Sequence, residues 1–155
     1  MTAFEQRIIA RITKNRRSAL PLTDEMVLPN YEGLSLVNLP ATVTQILGAP
    51  DFGSPPLDKD LTSALDGPYE KVVVLLVDAL GYALFNRILE SGQDSIWKRH
   101  RNQAIYSPIT SVCPSTTASA LTTLWTGVGP AQHGIIGYEM WAKAVSYTHL
   151  RAHET

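Results

Sequence analysis

The chain has 155 residues, 45% of them hydrophobic and 17% charged, which suits one globular domain with a modest core and excludes a disordered chain. Thirteen Lys and Arg against 14 Asp and Glu leave a formal charge of -1, so nucleic acid is not expected as a bulk partner. The single cysteine, Cys113, excludes an intrachain disulfide framework and a cysteine-based zinc finger.

The N-terminus, MTAFEQRIIARITKNRR, lacks the apolar core and small-residue cleavage site of a secretory signal. No stretch reaches the roughly 18 apolar residues of a membrane span, and the best, Val72 to Val77, stops at Asp78. The expectation is a cytoplasmic chain without a transmembrane segment. Phe4, Ile8, Ile9 and Ile12 recur at helical spacing, with Arg7, Arg11, Lys14, Arg16 and Arg17 on and beyond the other face. This predicts an amphipathic docking helix with a solvated basic face; a membrane-peripheral anchor is the alternative.

From Ser18 to Gly67 the chain is punctuated by ten Pro and Gly residues, among them Pro21 and Gly67, and short elements joined by loops are expected. One helix stands out, with Asn38 as cap, Pro40 in the first turn, Val43, Ile46 and Leu47 on an apolar face and Gly48 at its end. Leu57 to Leu65 reads as a weak helix. Residues 1–69 are thus expected to form a helical and loop extension.

Lys71 to Val77 is a continuous β-branched and Leu run without alternation, as in a strand buried on both faces of a mainly parallel sheet. Gly81 to Glu90 follows with Leu84, Phe85, Ile88 and Leu89 at helical spacing and Gly92 beyond its end. Ala104 to Val112 is a second strand candidate, interrupted by Pro108, and Thr117 to Trp125 a further helix. The alternation predicts an α/β fold with ligands outside the carboxyl ends of the strands. Val145 to Thr155, VSYTHLRAHET, resembles a translated sequencing adapter and is left out of the fold reasoning. The natural sequence is accordingly expected to stop near Ala144, making the chain an N-terminal fragment.

Two places could carry chemistry. Asp78 ends an apolar run before Ala79-Leu80-Gly81, so its carboxylate is either a helix cap or a cation ligand. Pro114-Ser115-Thr116-Thr117 places hydroxyls at the start of a helix, where they are either caps or nucleophiles set against the positive helix end.

VVVLLVDALG, PSTTASALTTLWTG and GPAQHGIIGY, in that order, resemble the start of the catalytic domain of the alkaline phosphatase superfamily. The similarity is greatest to its type I phosphodiesterase/nucleotide pyrophosphatase branch and covers about Lys71 to Trp141. The resemblance implies an alkaline-phosphatase-like sandwich with a mainly parallel central sheet and flanking helices, here truncated, beginning at residue 70 and running to 144. It also implies a metal-dependent hydrolase of small-molecule phosphate esters with two divalent ions, expected to be zinc. By the same resemblance Asp78 is a metal ligand, and Thr117, nine residues before Thr126-Gly127, is the nucleophile and a metal ligand. Thr116 is the alternative if the register shifts by one.

Two features depart from the family pattern. Ala120 stands where nucleotide pyrophosphatases carry an Asn that holds a phosphate oxygen, and the family's remaining zinc ligands lie downstream of anything present. Three protein ligands per catalytic zinc is usual, whereas the histidines are His100, His133, His149 and His153, the last two in the presumed adapter. His133 is read as structural. The fragment is therefore expected to be inactive. The other readings are a non-catalytic α/β protein of the same fold, with Asp78 and Thr117 as caps, and a docking or membrane-peripheral module led by residues 4–17.

Overall fold

The computed structural model describes residues 1–15, 23, 26–65, 67–91, 95–141 and 149–151. Arg16, Arg17, Pro21, Gly92 and most of the 145–155 tail, each part of an expectation above, lie outside the described residues.

Helix α1, Ala3–Thr13, starts where the Thr2 hydroxyl accepts the Glu5 N–H at 3.2 Å. Its apolar positions turn inward: Ile8 and Ile12 are buried with Leu34 and Leu61, and Phe4, Leu57 and Ile109 pack around them. Burying one such side chain contributes roughly 1.5–3 kcal/mol, so this cluster is the main reason α1 docks at all. The sequence predicts a solvated basic face; Arg7 and Arg11 do stay partly exposed, but both also reach aspartates. Arg11 reaches Asp58 at 2.6 Å and Asp60 at 3.3 Å, and Arg7 lies 3.8 Å from Asp60. On the other side Glu5, 1% exposed, is held by Arg101 at 2.8 Å. Burial pushes the Glu5 carboxyl up, but the hydrogen bond and charge of Arg101, helped by Thr2, outweigh it and hold the group below its usual range.

The loops from Asn30 to Asp58 are organised by one buried side chain. Asn38 accepts the Ser35 N–H at 3.0 Å and donates to the carbonyls of Tyr31 and Pro55, both at 2.9 Å. Helix α2, Leu39–Ile46, follows with Pro40 in its first turn, where a missing N–H breaks no bond. Helix α3, Lys59–Thr62, is a single turn capped by Asp58, whose carboxylate accepts the Asp60 N–H at 2.8 Å.

Helix α4 spans Tyr82–Glu90 and α5 spans Ile96–His100. Phe85 of α4 meets Trp97 of α5 edge-on at 5.7 Å, and Tyr82 of α4 stacks on Tyr106, beyond α5, at 5.7 Å. Helix α6, Thr117–Thr126, and α7, Pro130–His133, pack on each other, and α6 also meets α2 and the 3-10 turn Leu36–Asn38. Gly127 ends α6 with φ +69°, a left-handed conformation that glycine adopts without steric cost. Its carbonyl accepts the Ser54 N–H at 2.6 Å, which ties the 52–54 loop to the end of α6.

The expected mainly parallel central sheet, and with it the truncated alkaline-phosphatase-like sandwich, is not what the structure shows. Helices are the main regular structure among the described residues. Their only regular sheet pairs β1, Glu139–Trp141, antiparallel with β2, His149–Arg151. One isolated parallel bridge joins Ser35 and Thr110, with Thr110 N–H to Leu34 C=O at 2.8 Å and Leu36 N–H to Thr110 C=O at 2.9 Å. Residues 71–77, expected as a central strand, are in no strand, and Val73 is 91% exposed.

The physical reason is that hydropathy reports where side chains could be buried, not whether a neighbouring backbone stands ready to pair. A strand exists only through a ladder, and nothing among the described residues supplies one here. Residues 104–112 fail for a related cause. Pro108 removes one donor, and Thr110 alone reaches a partner backbone. No described helix is long and apolar enough to cross a membrane.

Candidate active site at Asp78 and Thr117

The 71–77 segment delivers Asp78 to a turn that ends at α4. One carboxylate oxygen, Oδ1, accepts the N–H of Ala79 at 2.8 Å. Ala79 itself has φ 58°, a left-handed conformation that costs a residue with a Cβ roughly 1–2 kcal/mol. Strain of this kind gathers at ligand clamps and active sites, where the surroundings hold a residue against its preference. Gly81 N–H bonds Ala79 C=O at 3.1 Å and closes the turn, and Gly81 is the cap position of α4. Asp78 therefore does not cap the helix that follows it; its Oδ1 holds the Ala79 turn instead.

The second carboxylate oxygen meets Thr117. Its hydroxyl donates to Asp78 Oδ2 at 3.2 Å, and both side chains are exposed to solvent. Thr117 opens α6, and its neighbour Thr116 is the cap. The Thr116 hydroxyl accepts the Ser119 N–H at 3.3 Å and donates to the Ile136 carbonyl at 3.0 Å. The two adjacent threonines thus divide the work: Thr116 is spent on the helix end, while Thr117 faces the acid. Behind them Ala118 and Ser119 are buried, and their small size lets the start of α6 sit close against the rest of the chain.

His133 stands apart from this pair. Its Nδ1 accepts the Ile135 N–H at 3.0 Å and its Nε2 lies 3.0 Å from the Thr123 hydroxyl. Burial lowers its proton affinity, a hydrogen bond to the Ser119 carbonyl opposing that only in part. With both nitrogens engaged, the ring has none free for a metal. His100 pairs with Gln103 at 2.9 Å, and Cys113 is an exposed free thiol.

Carboxylate and hydroxyl oxygens are hard donors suited to a divalent ion, and each Asp78 oxygen keeps a lone pair beyond the bond it accepts. The pair fits one edge of an ion site. Among the described residues no group of three His, Cys, Asp or Glu could close it. Sequence reasoning missed the Ile136 carbonyl and the Ala79 conformation, since neither leaves a side-chain signature.

The family model for type I phosphodiesterase/nucleotide pyrophosphatase matches residues 72–153, a stretch that contains both Asp78 and Thr117. No curated protein and no solved structure matches the chain. Members of that family act on small-molecule phosphate esters and depend in general on metal ions. With the match covering more than half its length, the chain belongs to the type I phosphodiesterase/nucleotide pyrophosphatase family.

Proposed function

We propose that the protein hydrolyses phosphate esters through Thr117 as nucleophile, with Asp78 and Thr117 forming one edge of a two-zinc centre. The observation that carries this reading is the 3.2 Å contact between the Thr117 hydroxyl and Asp78 Oδ2. On this proposal residues 70–144 carry the chemistry and residues 1–69 form an extension that braces it.

Asp78 accepts the hydroxyl hydrogen of Thr117 and so aims the oxygen lone pairs away from the carboxylate, toward an incoming phosphorus. The first turn of α6 places the positive end of the helix beside the same oxygen, which favours a phosphate there. Bound divalent ions would lower the hydroxyl pKa and offset phosphoryl charge. Thr117 Oγ attacks phosphorus in line, the ester oxygen leaves with the alcohol, and the resulting phospho-threonine is cleaved by water. Ala120, one turn on, offers no side-chain donor to a phosphate oxygen. Grip on the substrate then falls to the helix end and the ions, which suits a monoester as well as a diester.

The test is zinc-dependent hydrolysis of p-nitrophenyl phosphate and bis-p-nitrophenyl phosphate by the product of the open reading frame that encodes this chain. Acid-quench trapping of phosphate on Thr117 would support the proposal. Undiminished turnover in Thr117→Ala would remove it. The 155 residues by themselves, with two ligands in place, are expected to show no turnover above buffer.

A further inference from the structure

Residues 133–137 close over α6 at two points. At one, His133 Nε2 lies 3.0 Å from the hydroxyl of Thr123, which is fully buried. At the other, the Ile136 carbonyl accepts the hydroxyl of Thr116, the residue next to Thr117, at 3.0 Å. The ring also organises the segment between them, because its Nδ1 accepts the Ile135 N–H at 3.0 Å. An N–H can be donated only to an unprotonated nitrogen, so the neutral ring carries its proton on Nε2. That proton faces α6, toward the Thr123 hydroxyl and the Ser119 carbonyl.

Among the described residues, the elements packed on α6 offer no ionisable side chain to compensate a positive charge on the ring. Helix α6 packs on α7, α2 and the turn Leu36–Asn38, and apart from His133 none of these elements contains an ionisable side chain. On the other side of α7, Tyr31 and Cys113 are the titratable groups lining a cavity of about 510 Å³ with Pro130 and Gln132.

We infer that His133 is a positioning residue for Thr117: in its neutral form the ring latches residues 133–137 along α6, and a second proton on Nδ1 undoes the latch. The added proton removes the acceptor of the Ile135 N–H. The loop must then turn, and the Ile136 carbonyl is drawn away from Thr116, one residue from the proposed nucleophile. The functional meaning rests on the proposed role of Thr117, but the coupling is measured without it.

The experiment is a pH titration of the 15N-labelled chain from about pH 7.5 to 5, following the imidazole nitrogens and the backbone amides of Thr117, Ser119 and Ile135. The expected result is an Nε2-protonated ring at the upper end. All three amides should then shift with one common midpoint below 6.5, the ordinary histidine value, and His133→Gln should abolish that inflection. Thr123→Ser, which keeps both the His133 ring and the hydroxyl it faces, should retain the common midpoint, and amide dispersion of His133→Gln at pH 7.5 shows whether that variant is folded. A ring protonated on Nδ1 at pH 7.5, or flat Thr117 and Ser119 amides while Ile135 titrates, would overturn the latch and leave the hydrolase reading intact. A common midpoint in a protein whose open reading frame shows no phosphate-ester turnover would uphold the latch and sink the hydrolase reading instead.

Discussion

The hydroxyl of Thr117 donates to Asp78 Oδ2 across 39 positions of sequence, and each partner is held by a separate support. Asp78 is fixed by its bond to Ala79 in a strained turn, and Thr117 by the capped start of α6. Neither residue needs the other in order to be where it is. Pre-positioning of this kind is what the proposed role of Thr117 as nucleophile would require.

Removal of either partner is therefore expected to stop phosphate-ester hydrolysis by the encoded protein without unfolding it. Thr117→Ala should lower kcat on the order of 10⁴-fold or more, as losing a covalent nucleophile does. Asp78→Asn, which can no longer accept the hydroxyl hydrogen as an anion, should act in the same direction while circular dichroism stays unchanged. Thr116→Ala should behave differently, with a stability loss of about 1 kcal/mol from the missing cap, read from urea unfolding.

Two of the charged side chains that fasten α1, Glu5 through Arg101 and Arg11 through Asp58 and Asp60, should differ sharply in worth. Arg101→Met takes the cation from the buried Glu5 carboxylate, which keeps only the Tyr82 hydroxyl at 3.5 Å and Thr2, and is expected to cost roughly 2–4 kcal/mol in urea unfolding. Arg11→Met leaves Asp58 and Asp60 in reach of water and should cost about 1 kcal/mol or less. Equal losses would show that Glu5 is reached by solvent after all.

Acid should loosen the same attachment. The folded carboxyl of Glu5 lies below its ordinary value of 4.5, and that of Asp58, held chiefly by the Arg11 hydrogen bond, below 3.8. Between the folded and unfolded values the unfolded chain binds more protons. The stabilisation is thus complete above about pH 4.5 and declines as pH falls through the folded values. Urea midpoints should hold steady from pH 7 to 5 and fall by pH 3, and a flat profile would contradict the pairing.

Gly127→Ala should destabilise the far end of α6. The added Cβ would lie 2.9 Å from the Phe52 ring and 3.1 Å from Gly53 Cα, in a left-handed conformation. A loss of roughly 1–3 kcal/mol is expected from the conformation alone, measurable by thermal unfolding.

The α1 and basic-face geometry bears on the membrane-peripheral alternative. The apolar side of α1 is buried in the core and two of its arginines are paired with aspartates. The buried apolar side leaves nothing of α1 to insert into a bilayer, and no co-sedimentation with anionic vesicles is expected from this helix.

What could be read from the sequence follows from where the determining interactions lie. Helices α1, α2, α4 and α6 were legible because their apolar spacing and end residues are local. Asn38 shows the limit: it reads as a cap, yet its side chain makes no cap bond and instead joins Ser35, Tyr31 and Pro55. The 71–77 run has the composition of a buried strand, but pairing is a property of two segments and only one was in view. Asp78 and Thr117 could each be picked out because a punctuated junction marks them. The partners that hold α6, the Ile136 carbonyl and the Glu5–Arg101 tether of the N-terminal helix, are distant along the chain and leave no local trace.

Five consecutive aliphatic side chains, Val73 to Val77, stand in water immediately ahead of Asp78. Such a run is sticky, and the charges flanking it, Lys71 on one side and Asp78 on the other, bound it as gatekeeper residues do. Asp78→Asn thus weakens a guard against clumping in the same stroke that it alters chemistry. Light scattering of that variant, at the protein concentration of the assay, separates a dead site from a precipitating one.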